Sequence, residues 1–147
     1  MKLQKLKLQK NYTPKVQNSD EIEIYPNGVF NFFISKIIED IDNGILQPKK
    51  VRINIEKWLQ THYQCKDNIN ENHLLAVNTR KPIIQAEIKP NHFEIIDGNH
   101  RFEKAFRDCK KSINSYKLFV KDLLPYFYNN QGYEAFVRYW NSKLKEK

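Results

Sequence analysis

Glycine is scarce in this chain, with four residues in 147, and one of the four, Gly98, breaks the chain between a short apolar run and a helical pattern. Cysteine is scarcer still. Cys65 and Cys109 cannot make a disulfide framework, and Cys109 falls on an apolar helical stripe, where it reads as a small buried hydrophobe. His62-x-x-Cys65 has metal-ligand spacing but no second pair near it, so no metal site is expected. No apolar run approaches membrane-spanning length. The first ten residues, Met-Lys-Leu-Gln-Lys-Leu-Lys-Leu-Gln-Lys, are too interrupted by lysine for a secretory signal. The expectation is a cytoplasmic protein with no membrane partner. No acidic cluster of the two-metal kind is visible, which counts against metal-assisted phosphodiester cleavage. Internal repeats, low-complexity linkers and signs of a second domain are also lacking.

What is present suits one folded domain over residues 1–147: 40% hydrophobic and 13% aromatic residues at a length that can bury a core. Net charge is +8. That excess suits DNA or RNA bound through a basic surface, or simply a solvated surface, since the lysines are scattered rather than blocked.

Residues 1–20, with Lys2, Lys5, Lys7, Lys10 and Lys15, read as a basic arm or an edge strand. Glu21-Ile-Glu-Ile-Tyr25 alternates and ends at Pro26-Asn27-Gly28, a strand closed by a turn. Phe32, Phe33, Ile37, Ile38 and Ile41 follow helical spacing, with Gly44 at the C′ position and Pro48 beyond. Val51 to Ile55 alternates as a half-buried strand, and Glu56 to His62 reads as a short helix. Cys65 to Asn72 is polar and loop-like; His73 to Val77 is a short helix or a strand. Ile84, Ala86 and Ile88 share one strand face, and Lys89-Pro-Asn-His92 turns it back through a four-residue connection. Tyr116 to Lys121 alternates again. Residues 121–147 hold C-terminal helices, first Leu123 to Tyr128 and then a stripe of Tyr133, Phe136, Val137, Trp140 and Leu144 beyond a break at Asn129 to Gly132. The fold class is therefore α/β (α+β): a small mixed sheet with flanking helices.

The chain is organised around Phe93 to Phe106. Phe93-Glu-Ile-Ile96 is a strand that feeds through Asp97-Gly98 into a helix beginning near Gly98 or Asn99. On that helix Phe102, Ala105, Phe106 and Cys109 form one apolar face. Glu103/Arg107 and Lys104/Asp108 are opposite charges four apart. A helix start carries unpaired N–H groups and the positive end of the dipole, and His100 and Arg101 in that turn suit a phosphate. The same spacing also suits a plain strand-to-helix corner, with Asp97 as N-cap and Arg101 solvated.

Asp97-Gly-Asn-His-Arg101 with Ala105 resembles the Gly-x-(His/Arg)-Arg-x-x-x-Ala signature of the ParB/sulfiredoxin superfamily. Lys81-Pro-Ile-Ile84 and Glu94-Ile-Ile-Asp97 are similar to the strands that precede that signature. The resemblance covers residues 81–120, weakens over Val51 to Arg80, and is absent elsewhere. It implies a stand-alone ParB/sulfiredoxin-like domain that binds a nucleoside triphosphate, ATP or CTP, with or without Mg²⁺. Gly98 would allow close backbone approach, and Asn99, His100, Arg101 and Lys81 would contact phosphate. Asp97, His100 and Arg101 would be the catalytic candidates.

Two departures narrow this. Sulfiredoxins carry a cysteine directly before the His-Arg pair, and Asn99 stands there, so sulfinic-acid repair is not expected. About 27 residues follow Val120, too few for the helix-turn-helix and dimerisation segment of a partition protein. Asp97 could position Mg²⁺ or water, or cap the helix. His100 could move a proton or donate to phosphate. Glu103 points roughly 200° away from Arg101 around the helix and reads as a surface partner of Arg107 rather than a base. Two readings stay open: a nucleotide hydrolase, phosphotransferase or nuclease, and a non-catalytic basic module binding nucleotide or DNA.

Overall fold

The computed structural model describes residues 5–15, 24–26, 31–62 and 69–145. In chain order these form β1 (Ile24–Pro26), β2 (Asn31–Phe33), α1 (Ile34–Asp42), β3 (Lys49–Asn54), α2 (Ile55–Thr61) and α3 (Glu71–Ala76). There follow β4 (Ile83–Lys89), β5 (His92–Asp97), α4 (Asn99–Arg107), β6 (Ser112–Leu118), α5 (Val120–Leu123), a 3₁₀ turn at Leu124–Tyr126 and α6 (Asn130–Leu144). A mixed four-stranded sheet has the order β3-β6-β4-β5, and β1 and β2 form a separate antiparallel pair. No helix among the described residues is long and apolar enough to cross a membrane.

The chain divides into two compact units: Met1–Pro48, Glu87–Phe93 and Leu118–Lys147 make one, and Lys49–Ala86 with Glu94–Lys117 the other. In the first, Phe32 and Phe33 are strand residues rather than the helix start that their spacing suggests. Phe33 pairs with Ile24 and Phe32 with Tyr25 in an antiparallel register, and Phe32 also bridges to Phe127. Both rings are buried, and an extended backbone lets two successive aromatic side chains reach opposite faces. Phe127, Phe136 and Trp140 continue this core, with Phe127 and Phe136 centroids 4.8 Å apart. The α6 helix starts earlier than expected, because the Asn129 side chain accepts from Gly132 N–H at 2.7 Å and caps it.

Residues 5–15 form no strand. Leu6 N–H donates to Asn141 Oδ1, Asn141 Nδ2 donates back to Leu6 O, and Tyr12 stacks on Tyr133 with centroids 3.8 Å apart. This part of the arm is fastened to α6. Most of Glu21 to Tyr25, and all of Asn27-Gly28, Cys65 and Lys2, lie outside the described residues.

The C-terminus of α1 follows its expectation. Gly44, at φ +74°, follows the C-cap Asn43, and Gly44 and Ile45 N–H donate to Ile41 and Asp40 carbonyls, the bonds of a Schellman motif. Asp40 itself is fully buried and accepts from Tyr126 Oη at 2.7 Å and from Lys15 Nζ. Burial works against its charge, yet Lys15, Tyr126 and Lys36 hold its carboxyl below the usual carboxylate range.

In the second unit β3 and β6 pair antiparallel, with Ile53 opposite Ile113. Alternation sends Ile53 inward and Lys50, Arg52 and Asn54 outward. The strand stops at Asn54 because its side chain accepts from Lys57 N–H at 3.0 Å and caps α2, which takes Ile55 from the strand. Ile53, Ile55, Ile83, Ile95, Phe102, Ala105 and Ile113 form the core, flanked by Trp58 and Leu59. The stretch from His73 resolves as part of α3, capped by Asn70.

Strand β4 departs from the one-faced pattern: Ile83 through Ile88 are all buried, including Gln85 and Glu87. Gln85 Nε2 donates to Ser115 Oγ at 3.2 Å. Glu87 accepts from Asn91 N–H and Val120 N–H at 3.1 and 3.0 Å, so the buried carboxylate is satisfied by two backbone donors. The β4–β5 connection shortens to Pro90-Asn91, with Asn91 at φ +62°, a conformation asparagine tolerates.

Candidate functional site

β5 ends at Asp97, Gly98 turns the chain at φ +99°, and α4 begins at Asn99. Only glycine suits this turn. A Cβ on Gly98 would sit 2.6 Å from Ile83 Cγ2 and 2.8 Å from Arg101 Nη2, and Ile83 is a fully buried core residue. Close packing of the turn on β4 therefore accounts for the glycine without any ligand. Asp97 does not cap α4. Gly98 is the N-cap, and no side chain bonds the first-turn N–H groups, because the Asp97 carboxylate is drawn to Arg101 instead.

Arg101 Nη2 donates to Asp97 Oδ2 at 2.9 Å and to Pro82 O at 3.3 Å. The two side chains are 14% and 18% exposed, so the pair is largely withdrawn from water rather than solvated. Both bonds use one nitrogen, and Arg101 Nε is buried with no hydrogen-bond partner. Asn99 is exposed. Lys81 is also exposed, in the turn before Pro82, where its N–H donates to Asn78 O.

His100 turns toward α3. Its Nε2 accepts from Asn70 N–H at 2.9 Å, and its ring meets His73 edge-on with centroids 4.7 Å apart. Burial lowers its pKa, and the neighbouring His73 lowers it further. A neutral ring with Nε2 accepting carries its proton on Nδ1, which is the donor left for a ligand. Neither Asn70 nor His73 was marked by the local sequence, since both lie about 30 residues away along the chain.

The expected helical stripe holds only in part. Phe102 and Ala105 are buried, whereas Phe106 is 42% exposed. Cys109 lies past the helix end, exposed, at φ +59°. Cys109 and Lys110 N–H donate to the Phe106 and Ala105 carbonyls, so this cysteine occupies the left-handed C′ position that glycine usually fills. Its expected burial is wrong for that reason. Glu103 does pair with Arg107, at 2.6 Å, but it is buried rather than on the surface. Arg107 also grips exposed Glu71 through Nη1 and Nη2 at 2.6 and 3.0 Å. The Glu71 bonds, then that to Glu103, raise the Arg107 pKa, and Glu71 is lowered in return. This bridge ties α3 to α4 beside His100.

The structure thus brings Asp97, Gly98, Asn99, His100 and Arg101 into one strand-turn-helix. Lys81 lies one residue from Pro82, whose carbonyl Arg101 holds. Chemically this is an open helix N-terminus with one guanidinium in its first turn, and that guanidinium is neutralised by a carboxylate an incoming anion could replace. No protein-family model matches the chain, and no curated protein or solved structure matches it either.

Proposed function

We propose that this chain is a ParB-like domain that binds a nucleoside di- or triphosphate at the start of α4. The observation that carries the reading is the uncapped first turn of α4, with Arg101 inside it and Gly98 before it. First-turn N–H groups at Asn99, His100 and Arg101 supply the donors, and the dipole adds to them. A terminal phosphate carries roughly −1.5 to −2 charges against one on Asp97, so it competes well for the Arg101 guanidinium. Displaced from Arg101, Asp97 is free to orient water or Mg²⁺, and His100 Nδ1 and Lys81 add donors at the edge of the site. ATP and CTP are the nucleotides implied by the family resemblance, with hydrolysis, phosphotransfer or nuclease action the attendant activities.

Calorimetric titration with ATP and CTP, with and without Mg²⁺, tests this. Arg101→Ala should weaken binding about ten- to a hundredfold, the loss of a charge-assisted bond worth about 1.5–3 kcal/mol. Equal affinity of wild type and variant would place the site elsewhere. Binding without phosphate release would make the chain a non-catalytic module.

A further inference from the structure

The outer face of the β3–β6 ribbon carries a second, independent set of groups. In register, Lys50 lies opposite Tyr116 and Arg52 opposite Asn114. Alternation puts these four on the face away from Ile53 and Ile113, which enter the core. Together with Val51, Pro82 and Ser115 they line an open cleft of about 390 Å³. Its lining holds two cations and no carboxylate. Arg52 is oriented by a neutral group, donating through Nε and Nη2 to Ser112 Oγ at 3.1 and 2.7 Å, so its charge is not cancelled there. Lys50, Arg52 and Asn114 are exposed, and Tyr116 is half-buried.

We propose that this face binds single-stranded nucleic acid. Lys50 and Arg52 meet phosphates, the Tyr116 ring offers a stacking platform for a base, and the Asn114 amide reads or steadies its edge. Charge complementarity selects a polyanion. The aromatic ring beside the cations, opposite Lys50, selects a single strand over a duplex, because a duplex keeps its base faces stacked away from the protein. Nothing in this inference depends on nucleotide binding at α4.

The test is fluorescence anisotropy of the protein with a labelled 15-nucleotide oligothymidylate and with a 15-base-pair duplex, at two salt concentrations. The single strand should bind more tightly. Lys50→Ala/Arg52→Ser should lower the salt slope by about one to two units, since each lost phosphate contact removes about 0.7 on single strands. Tyr116→Ala should weaken binding about five- to a hundredfold, and Tyr116→Phe should keep it. Equal binding of duplex and single strand overturns the proposal. So does an unchanged salt slope in the double variant, which alters exposed positions only and decides the matter if Tyr116→Ala does not fold.

Discussion

Arg101 Nη2 lies 2.9 Å from Asp97 Oδ2 across the first turn of α4, and the same nitrogen reaches Pro82 O at 3.3 Å. The guanidinium therefore joins the end of β5, the residue before β4 and the start of α4. Removing the carboxylate should act in opposite directions on stability and on ligand binding. Asp97→Ala leaves a largely buried cation unpaired and should cost about 1–3 kcal/mol in urea unfolding. Asp97→Asn keeps a hydrogen-bond acceptor and frees the charge, so its affinity for Mg²⁺-free nucleotide should rise. Weaker binding by Asp97→Asn would mean that the carboxylate serves the ligand directly.

The left-handed positions should separate cleanly by substitution. Gly44→Ala meets nothing within 4 Å, so only its φ of +74° is penalised, by about 1 kcal/mol. Cys109→Gly relieves the same kind of strain and should stabilise by about 0.5–1 kcal/mol. Gly98→Ala adds the clash with Ile83 and should cost most of the three. Thermal unfolding of the three variants checks the order. A destabilising Cys109→Gly would show that the thiol makes up for its backbone.

Much of this region was legible in the sequence, and its failures have physical causes. The strand, the break at Gly98 and a helix from Asn99 follow from local pattern, because glycine scarcity and a change of period mark the corner. Asp97 looked like a cap because its residue type favours caps; a nearby guanidinium outbid the backbone. Cys109 looked buried because period alone cannot see where the helix ends. Phe32 and Phe33 match helical spacing, but the pairing with β1 that makes them a strand is not written in their own segment. Asn70, His73 and Tyr116 join their partners across about 30 or more residues, and no local signal marks such a pairing.

His100 should make α3 docking depend on pH. Its folded pKa is lowered, so the unfolded chain binds the proton more readily, and this contribution is complete above about pH 6.5 and shrinks as pH falls through that value. Protonation also ends the acceptance of Asn70 N–H by Nε2. Protection of the Asn70 to His73 amides, taken relative to their intrinsic exchange rates at each pH, should therefore fall between pH 7 and 5 in wild type and lose that dependence in His100→Gln. An unchanged profile in the variant would assign the effect to other groups.

Asp40 should govern acid stability in the other unit. Its carboxyl is held below its ordinary range, so its contribution is present above the unfolded pKa and disappears as pH falls through the folded value. Asp40→Ala removes the acceptor that Tyr126 Oη and Lys15 Nζ share, leaving them only their bond to each other, and should cost about 2–4 kcal/mol at pH 7. The gap between variant and wild type should close in acid. A constant gap would trace the loss to packing rather than charge.

The phosphate site itself is tested most directly by backbone amide NMR during titration with ATP and CTP. The N–H groups of Asn99, His100 and Arg101 should shift most, in step with one another, and Arg101→Ala should need about ten- to a hundredfold more nucleotide for the same shifts while its spectrum stays dispersed. Shifts gathered at Lys50 to Arg52 and Tyr116, or no shifts at saturating nucleotide, would contradict a nucleotide site at the start of α4.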